Sequence, residues 1–169
     1  MQERGQSERG QLEHLLQPTL SVTRAVSPIY STRAGFIVAF FGSGFASVIM
    51  TLLNVRRLGR LSQDLAMVVA GALFFTLVYV GSGYLAATGG SLPLVGEVKT
   101  HQREVRYLLR GLALAYFGLT YLRHQRFYRA QDLAGNDPPS PWVAGIAACV
   151  AAVALSFAFG SLGAWLGAR

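Results

Sequence analysis

The sequence predicts an all-α protein, an integral membrane bundle of four transmembrane helices, and three observations predict it. The chain is 52% hydrophobic with 14% charged residues over 169 positions, and its mean hydropathy is +0.39; a soluble domain carries about a quarter charged residues. Its arginines gather between long uncharged stretches rather than along them. Three such stretches have about the length that a bilayer requires of a helix, and a shorter one that holds an arginine makes the fourth.

The polar segment 1–33 contains a small repeat, Glu3-Arg4-Gly5-Gln6 and Glu8-Arg9-Gly10-Gln11, and no apolar core of signal-peptide length. It is expected to be a disordered tail ahead of a membrane domain over 34–169. The first run, Ala34 to Val55, has about 22 residues without a charge, enough at 1.5 Å per residue to cross a core of about 30 Å. The second, Leu65 to Thr88, follows Asp64, whose charge suits the positive end of a helix dipole. The third, Tyr107 to Leu122, is short and holds Arg110 one turn inside. Extended back to Val105 it spans if Arg110 reaches the headgroups. The fourth, Trp142 to Leu166, follows Ser140-Pro141, a cap and a first-turn proline, and carries a tryptophan near each interface. Between the third and fourth, Gly135-Asn136-Asp137-Pro138-Pro139 is a turn.

The formal charge of +7 is explained first by topology. With four spans, Arg24, Arg33, Lys99, Arg103, Arg106 and Arg169 fall on one side and Arg56, Arg57, Arg60, Arg123, Arg126 and Arg129 on the other. The positive-inside count is tied. Both chain ends are expected on the same side, the inner one, because the tail is rich in arginine.

Lys99, Arg103, Arg106 and Arg110 recur on one helical stripe, opposite Val105, Leu108, Leu109 and Leu112. Together with Arg56, Arg57, Arg60 and with Arg123, Arg126, Arg129 they are the expected contacts to lipid headgroups, anionic ones included. The basic and aromatic residues near Phe127 and Tyr128 do not make a nucleic-acid surface, being clamped between membrane helices. Small residues four apart, Gly42 and Ala46, Gly160 and Ala164, Gly163 and Gly167, let helices approach closely. They are expected to pack within the chain or against a second copy or a membrane partner.

No catalytic set emerges. His14, His101 and His124 are scattered without metal-ligand spacing, and Cys149 stands alone. Gly42-Ser43-Gly44 has the outline of a nucleophile turn, yet no acid or histidine lies in the runs to activate it, and it reads as packing. No cofactor or metal is expected. Without an acidic residue at the centre of a run, ion-coupled transport is disfavoured, while Thr76, Tyr79, Ser82 and Tyr84 offer a neutral polar face.

Phe41-Gly42-Ser43-Gly44-Phe45-Ala46, followed by Leu53-Asn54-Val55-Arg56-Arg57-Leu58-Gly59-Arg60, resembles the opening of a family of uncharacterised small multi-span bacterial membrane proteins. Their pattern is a Gly-rich first helix ending in Asn-x-x-Arg-Leu-Gly-Arg. The resemblance covers the first two helices, with an echo at Gln125 to Gly135 that lacks the usual histidine and double tryptophan. It implies a class and no activity. The expectation is a non-enzymatic protein of a bacterial cytoplasmic membrane that works through helix packing, as an accessory subunit or self-associating bundle; the alternative is a small oligomeric channel or facilitator for a neutral solute.

Overall fold

The structure is a computed structural model in which residues 28–92, 96–98, 100–133 and 137–169 are described. The expected tail lies almost wholly outside them, and so does Lys99. Four long helices dominate: α1 (Thr32–Arg57), α2 (Leu61–Thr88), α3 (Gln102–Leu133) and α4 (Trp142–Gly167), with a two-stranded ribbon, β1 (Ser91–Leu92) and β2 (Gly96–Glu97), between α2 and α3. The all-α bundle is therefore as the runs predicted. By length and composition α1, α2 and α4 are apolar enough to cross a bilayer. α3 is one unbroken helix that overruns the third run at both ends.

Local chemistry sets the boundaries. Ser31 caps α1, its hydroxyl accepting from the Ala34 amide at 3.2 Å. Gly59, at φ 66°, makes the left-handed turn between α1 and α2. Asp64 lies in the first turn of α2, so that helix begins one turn earlier than the uncharged run. The expected Ser140 cap is not used: Pro141 occupies the cap position of α4 with no side-chain bond.

The main departure from the sequence reading lies inside α1. Ser43 leaves helical geometry at φ 73°, ψ −174°. The chain reverses there. The Tyr30 amide donates to Asn54 Oδ1 at 3.0 Å across 24 residues, a span that a straight helix would stretch to about 36 Å. Arg57 reaches back to the Pro28 carbonyl and the Tyr30 hydroxyl, both at 3.0 Å. So α1 is a helical hairpin with arms 32–42 and 44–57, about 16 and 21 Å long. Neither arm matches a core of about 30 Å. The flanking glycines explain the site of reversal, since only small residues fit at the tip: a Cβ on Gly44 would strike the Phe75 ring, and one on Gly42 would lie 2.7 Å from Cys149 Sγ.

This hairpin changes the topology. One end of the bundle, the basal end, holds Pro28 to Arg33, the α1–α2 turn, the end of α3 and the start of α4. The opposite, apical end holds the β-ribbon, the start of α3 and Arg169. Helices α2, α3 and α4 run from end to end, whereas α1 enters and leaves at the basal end. Pro28, the first described residue, and Arg169 lie at opposite ends of the bundle, whereas four straight crossings would have put them at one end; the start of the chain, on which the expectation about both chain ends falls, lies outside the described residues.

The core sits around the hairpin tip. Phe45 stacks on Tyr79 and Phe159 at centroid distances of 5.3 and 5.5 Å, and Phe75 meets Tyr116 edge-on at 5.8 Å. Such pairs add about 0.5–1.5 kcal/mol each beyond burial. The backbones of α2 and α4 pack closely, and α1 packs on α4, α3 and α2. α3 is held mainly through α1. Its links to α2 are long side chains, among them Tyr116, whose hydroxyl donates to the Met67 carbonyl at 3.4 Å.

Candidate functional site: a cavity above a broken helix

Because α1 stops at mid-depth, nothing from it fills the apical half of the bundle between α3 and the α2–α4 pair. A cavity of about 650 Å³ occupies that space. Its walls are Gly83 and Ala86 of α2, Val105 of α3 and Gly160 and Ala164 of α4, with Val98 beyond the ribbon. Polar groups enter from every side: Ser82, Gln102, Arg106, Ser156 and Ser161. No carboxylate is among its lining residues. Toward the hairpin tip, the hydroxyl of the lining residue Ser156 lies 3.4 Å from that of Ser43.

Below the tip, polar groups continue along one face of the second arm. Ser47 Oγ lies 3.4 Å from both the Ser43 and the Ala113 carbonyl oxygens, and Thr51 Oγ1 donates to the Ser47 carbonyl at 2.8 Å. These are spaced four residues apart, so they stack on one stripe. A second, small cavity follows, of about 10 Å³, bounded by Thr51, Asn54, Thr120, His124 and Tyr128 among others. It has room and partners for about one water.

At the basal end lies the most heavily tied group in the protein. The Asp64 side chain is 1% exposed, and Arg123 Nε donates to its Oδ1 at 2.7 Å. His124 Nε2 is 3.1 Å from Oδ2 while His124 Nδ1 is 2.9 Å from the Thr120 carbonyl. Arg60 Nε, buried, has a longer approach of 3.5 Å to Oδ2, and its guanidinium covers the Phe127 ring at 5.1 Å. A buried carboxylate is costly unless paired and hydrogen-bonded; here α3 and the turn before α2 supply the partners. Beside it Asn54 joins three segments, accepting from Tyr30 and donating to the Tyr128 hydroxyl at 3.1 Å. Gln131 clasps both the amide and the carbonyl of Ile29, at 2.9 and 3.1 Å.

The sequence-predicted residues divide among these places. Arg60 and Arg123 enter the Asp64 cluster, Arg57 stacks on Tyr30 at 4.4 Å, and Arg106 lines the cavity. Arg110 covers the Phe40 ring at 5.6 Å. Arg103, Arg126 and Arg129 are exposed, and Arg56 lies in the last turn of α1. The small residues serve contacts within the chain. A Cβ on Gly163 would meet the Val80 carbonyl, and one on Gly167 would lie 2.9 Å from the Tyr84 carbonyl. Gly42 and Ala46 face each other across the reversal, a Cβ on the former lying 2.5 Å from the latter's. A Cβ on Gly83 would strike the Gly160 carbonyl, whereas one on Gly160 itself would meet nothing within 4 Å. Sequence reasoning missed His124 and the role of Ser43. The signal for the latter was present in Gly42-Ser43-Gly44, two glycines at the middle of an apolar run.

Among the described residues no group of three or more histidine, cysteine or acidic side chains is placed to hold a metal. Comparison with protein-family models, with curated proteins and with solved structures gives no match.

Proposed function

We propose that the chain is a non-enzymatic facilitator for small neutral polar solutes in a bacterial cytoplasmic membrane, with the apical cavity as its vestibule and the tip of α1 as its floor. The observation that carries this reading is the reversal at Ser43. Broken helices are tolerated at membrane depth where they are buried in protein or line a cavity, and half-helices commonly flank the binding region of transporters. Here the break stands between an open, mainly apolar pocket that receives polar groups from three helices and the stacked hydroxyls of Ser43, Ser47 and Thr51. Hydroxyls and carbonyls can replace the hydrogen bonds of a neutral solute, and the lack of a carboxylate in the vestibule, with Arg106 at its side, argues against a cation.

The hairpin also bears on orientation. Arg33, Arg56, Arg57, Arg60, Arg123, Arg126 and Arg129 lie at the basal end, against Arg103, Arg106, Arg110 and Arg169 at or toward the apical end. Among the described residues, seven against four favours the basal end as cytoplasmic. Anionic lipid headgroups are the natural partners of the exposed Arg126 and Arg129.

A second reading, an accessory or self-associating subunit, is favoured by a different observation. An apolar groove of about 360 Å³ runs between the first arm and α4, past Ile37, Phe41, Ile146 and Val150. A partner helix would fill it as readily as lipid.

Proteoliposome swelling in a gradient of glycerol tests the facilitator. Uptake should exceed that of protein-free vesicles and fall several-fold in Ser161→Trp, which fills the vestibule. Equal rates with and without protein would overturn the reading and leave the subunit role.

A further inference from the structure

We propose that Asp64 and His124 form a single proton-binding site that latches α3 to α2 and closes the basal end of the path. As a gate, this rests on the facilitator reading; as a latch, it does not. The argument begins with donors and acceptors. His124 Nδ1 faces the Thr120 carbonyl at 2.9 Å, and a carbonyl only accepts. That nitrogen carries a hydrogen. His124 Nε2 faces Asp64 Oδ2 at 3.1 Å, and this contact is a hydrogen bond only if one proton lies on it, either on the imidazole or on the carboxyl. The proton belongs to the pair rather than to one residue.

Without that proton, the lone pair of Nε2 would face a carboxylate oxygen in a site where both side chains are almost fully buried, at 7% and 1% exposure. The contact would turn repulsive. The other charged groups facing the pair are Arg123 from α3, on the opposite carboxylate oxygen, and Arg60 from the turn before α2. From α1 the nearest polar neighbours are Thr51 and Asn54, both uncharged. The two arginines offset the charge of the buried carboxylate.

The architecture gives this site leverage. α3 is bound to α2 by long side chains instead of close backbone packing, and Arg123 and His124 supply most of those ties at the basal end. Arg60 has the weaker contact and a buried Nε without a hydrogen-bond partner among the described residues. His124 also borders the small cavity below Thr51. Withdrawing its ring would enlarge that cavity. The proton is bound in the closed state, so low pH favours closure and rising pH favours opening.

The test places spin labels on cysteines at Gln63 and Arg126, exposed positions on α2 and α3, in the full chain with Cys149→Ser, and reads their distance in nanodiscs across pH 5 to 9. In the parent, the ratio of short to long distances should fall with rising pH by up to about tenfold per unit, the slope for one proton. Asp64→Asn and His124→Asn each keep a hydrogen bond that needs no shared proton, because an amide can both donate and accept. Either variant, whichever is obtained folded by helical content, should hold the short distance at every pH. A parent distance that ignores pH, or a folded amide variant that shifts as the parent does, would overturn the latch. A pH-dependent distance in a protein whose vesicles transport nothing would retain the latch and remove the facilitator.

Discussion

The basal and apical halves of this bundle are built from the same helices but in opposite ways. At the basal end five segments converge, with both arms of α1 inserted among α2, α3 and α4, and nearly every buried polar group has a partner: Asn54 with Tyr30 and Tyr128, Gln131 with Ile29, Asp64 with Arg123 and His124. At the apical end only three helices remain. The α2–α4 seam there is sealed by glycines, while α3 stands off and leaves the cavity bounded by Arg106 and Ser156. The difference teaches that an interrupted helix opens space by its absence: stopping α1 at Ser43 packs the interior of one half and leaves a pocket in the other.

That contrast can be broken most severely at the reversal. Gly44→Leu would place a side chain into the Phe75 ring that plugs the hairpin tip; the strain should reach or exceed about 3 kcal/mol, the upper range for overpacking. The expected outcome is loss of folded protein, read by detergent-extracted yield and helical content. Gly163→Leu comes next, its neighbour being the backbone of α2 at Val80. A loss of about 1–3 kcal/mol is expected, seen as a lower midpoint of thermal unfolding, with Val150→Leu, at an exposed position, close to the parent.

Asn54→Ala leaves the Tyr30 amide and the Tyr128 hydroxyl without partners, which costs about 1–3 kcal/mol. Limited proteolysis near Pro28 should rise as that segment loses its hold on the second arm. Smallest of all is Ser140→Ala. Ser140 makes no cap, so the substitution should change the unfolding midpoint by less than the equivalent of about 0.5 kcal/mol, whereas Ser31→Ala, which removes a cap in use, should lower it by the equivalent of about 1 kcal/mol.

The positions of the helices were legible because a bilayer demands length and apolarity, and Leu65 to Thr88 and Trp142 to Leu166 meet both. Gly59 was legible as a turn because few residues tolerate its backbone. The reversal was hidden by the same uniformity that reveals spans: residues on either side of Ser43 are equally apolar, so hydropathy cannot tell one crossing from two half-crossings. Gly42 and Gly44 marked the place, but small residues in membrane helices more often mark packing. Asp64 was legible as a helix-start charge, yet its partners lie 59 and 60 residues away. His124 looked isolated for the same reason. Tertiary proximity, not local pattern, creates that cluster.

The account stands on α1 entering and leaving at one face, and sidedness of labelling tests this most directly. Single cysteines at Ser31, Leu58 and Ser91, each in the Cys149→Ser background, would be exposed to a membrane-impermeant maleimide in sealed vesicles of known orientation. Ser31 and Leu58 should label from the same side and Ser91 from the other. Labelling of Ser31 from the side of Ser91, with Leu58 opposite, would mean that Ala34 to Val55 crosses the bilayer as one straight helix, and would contradict the hairpin.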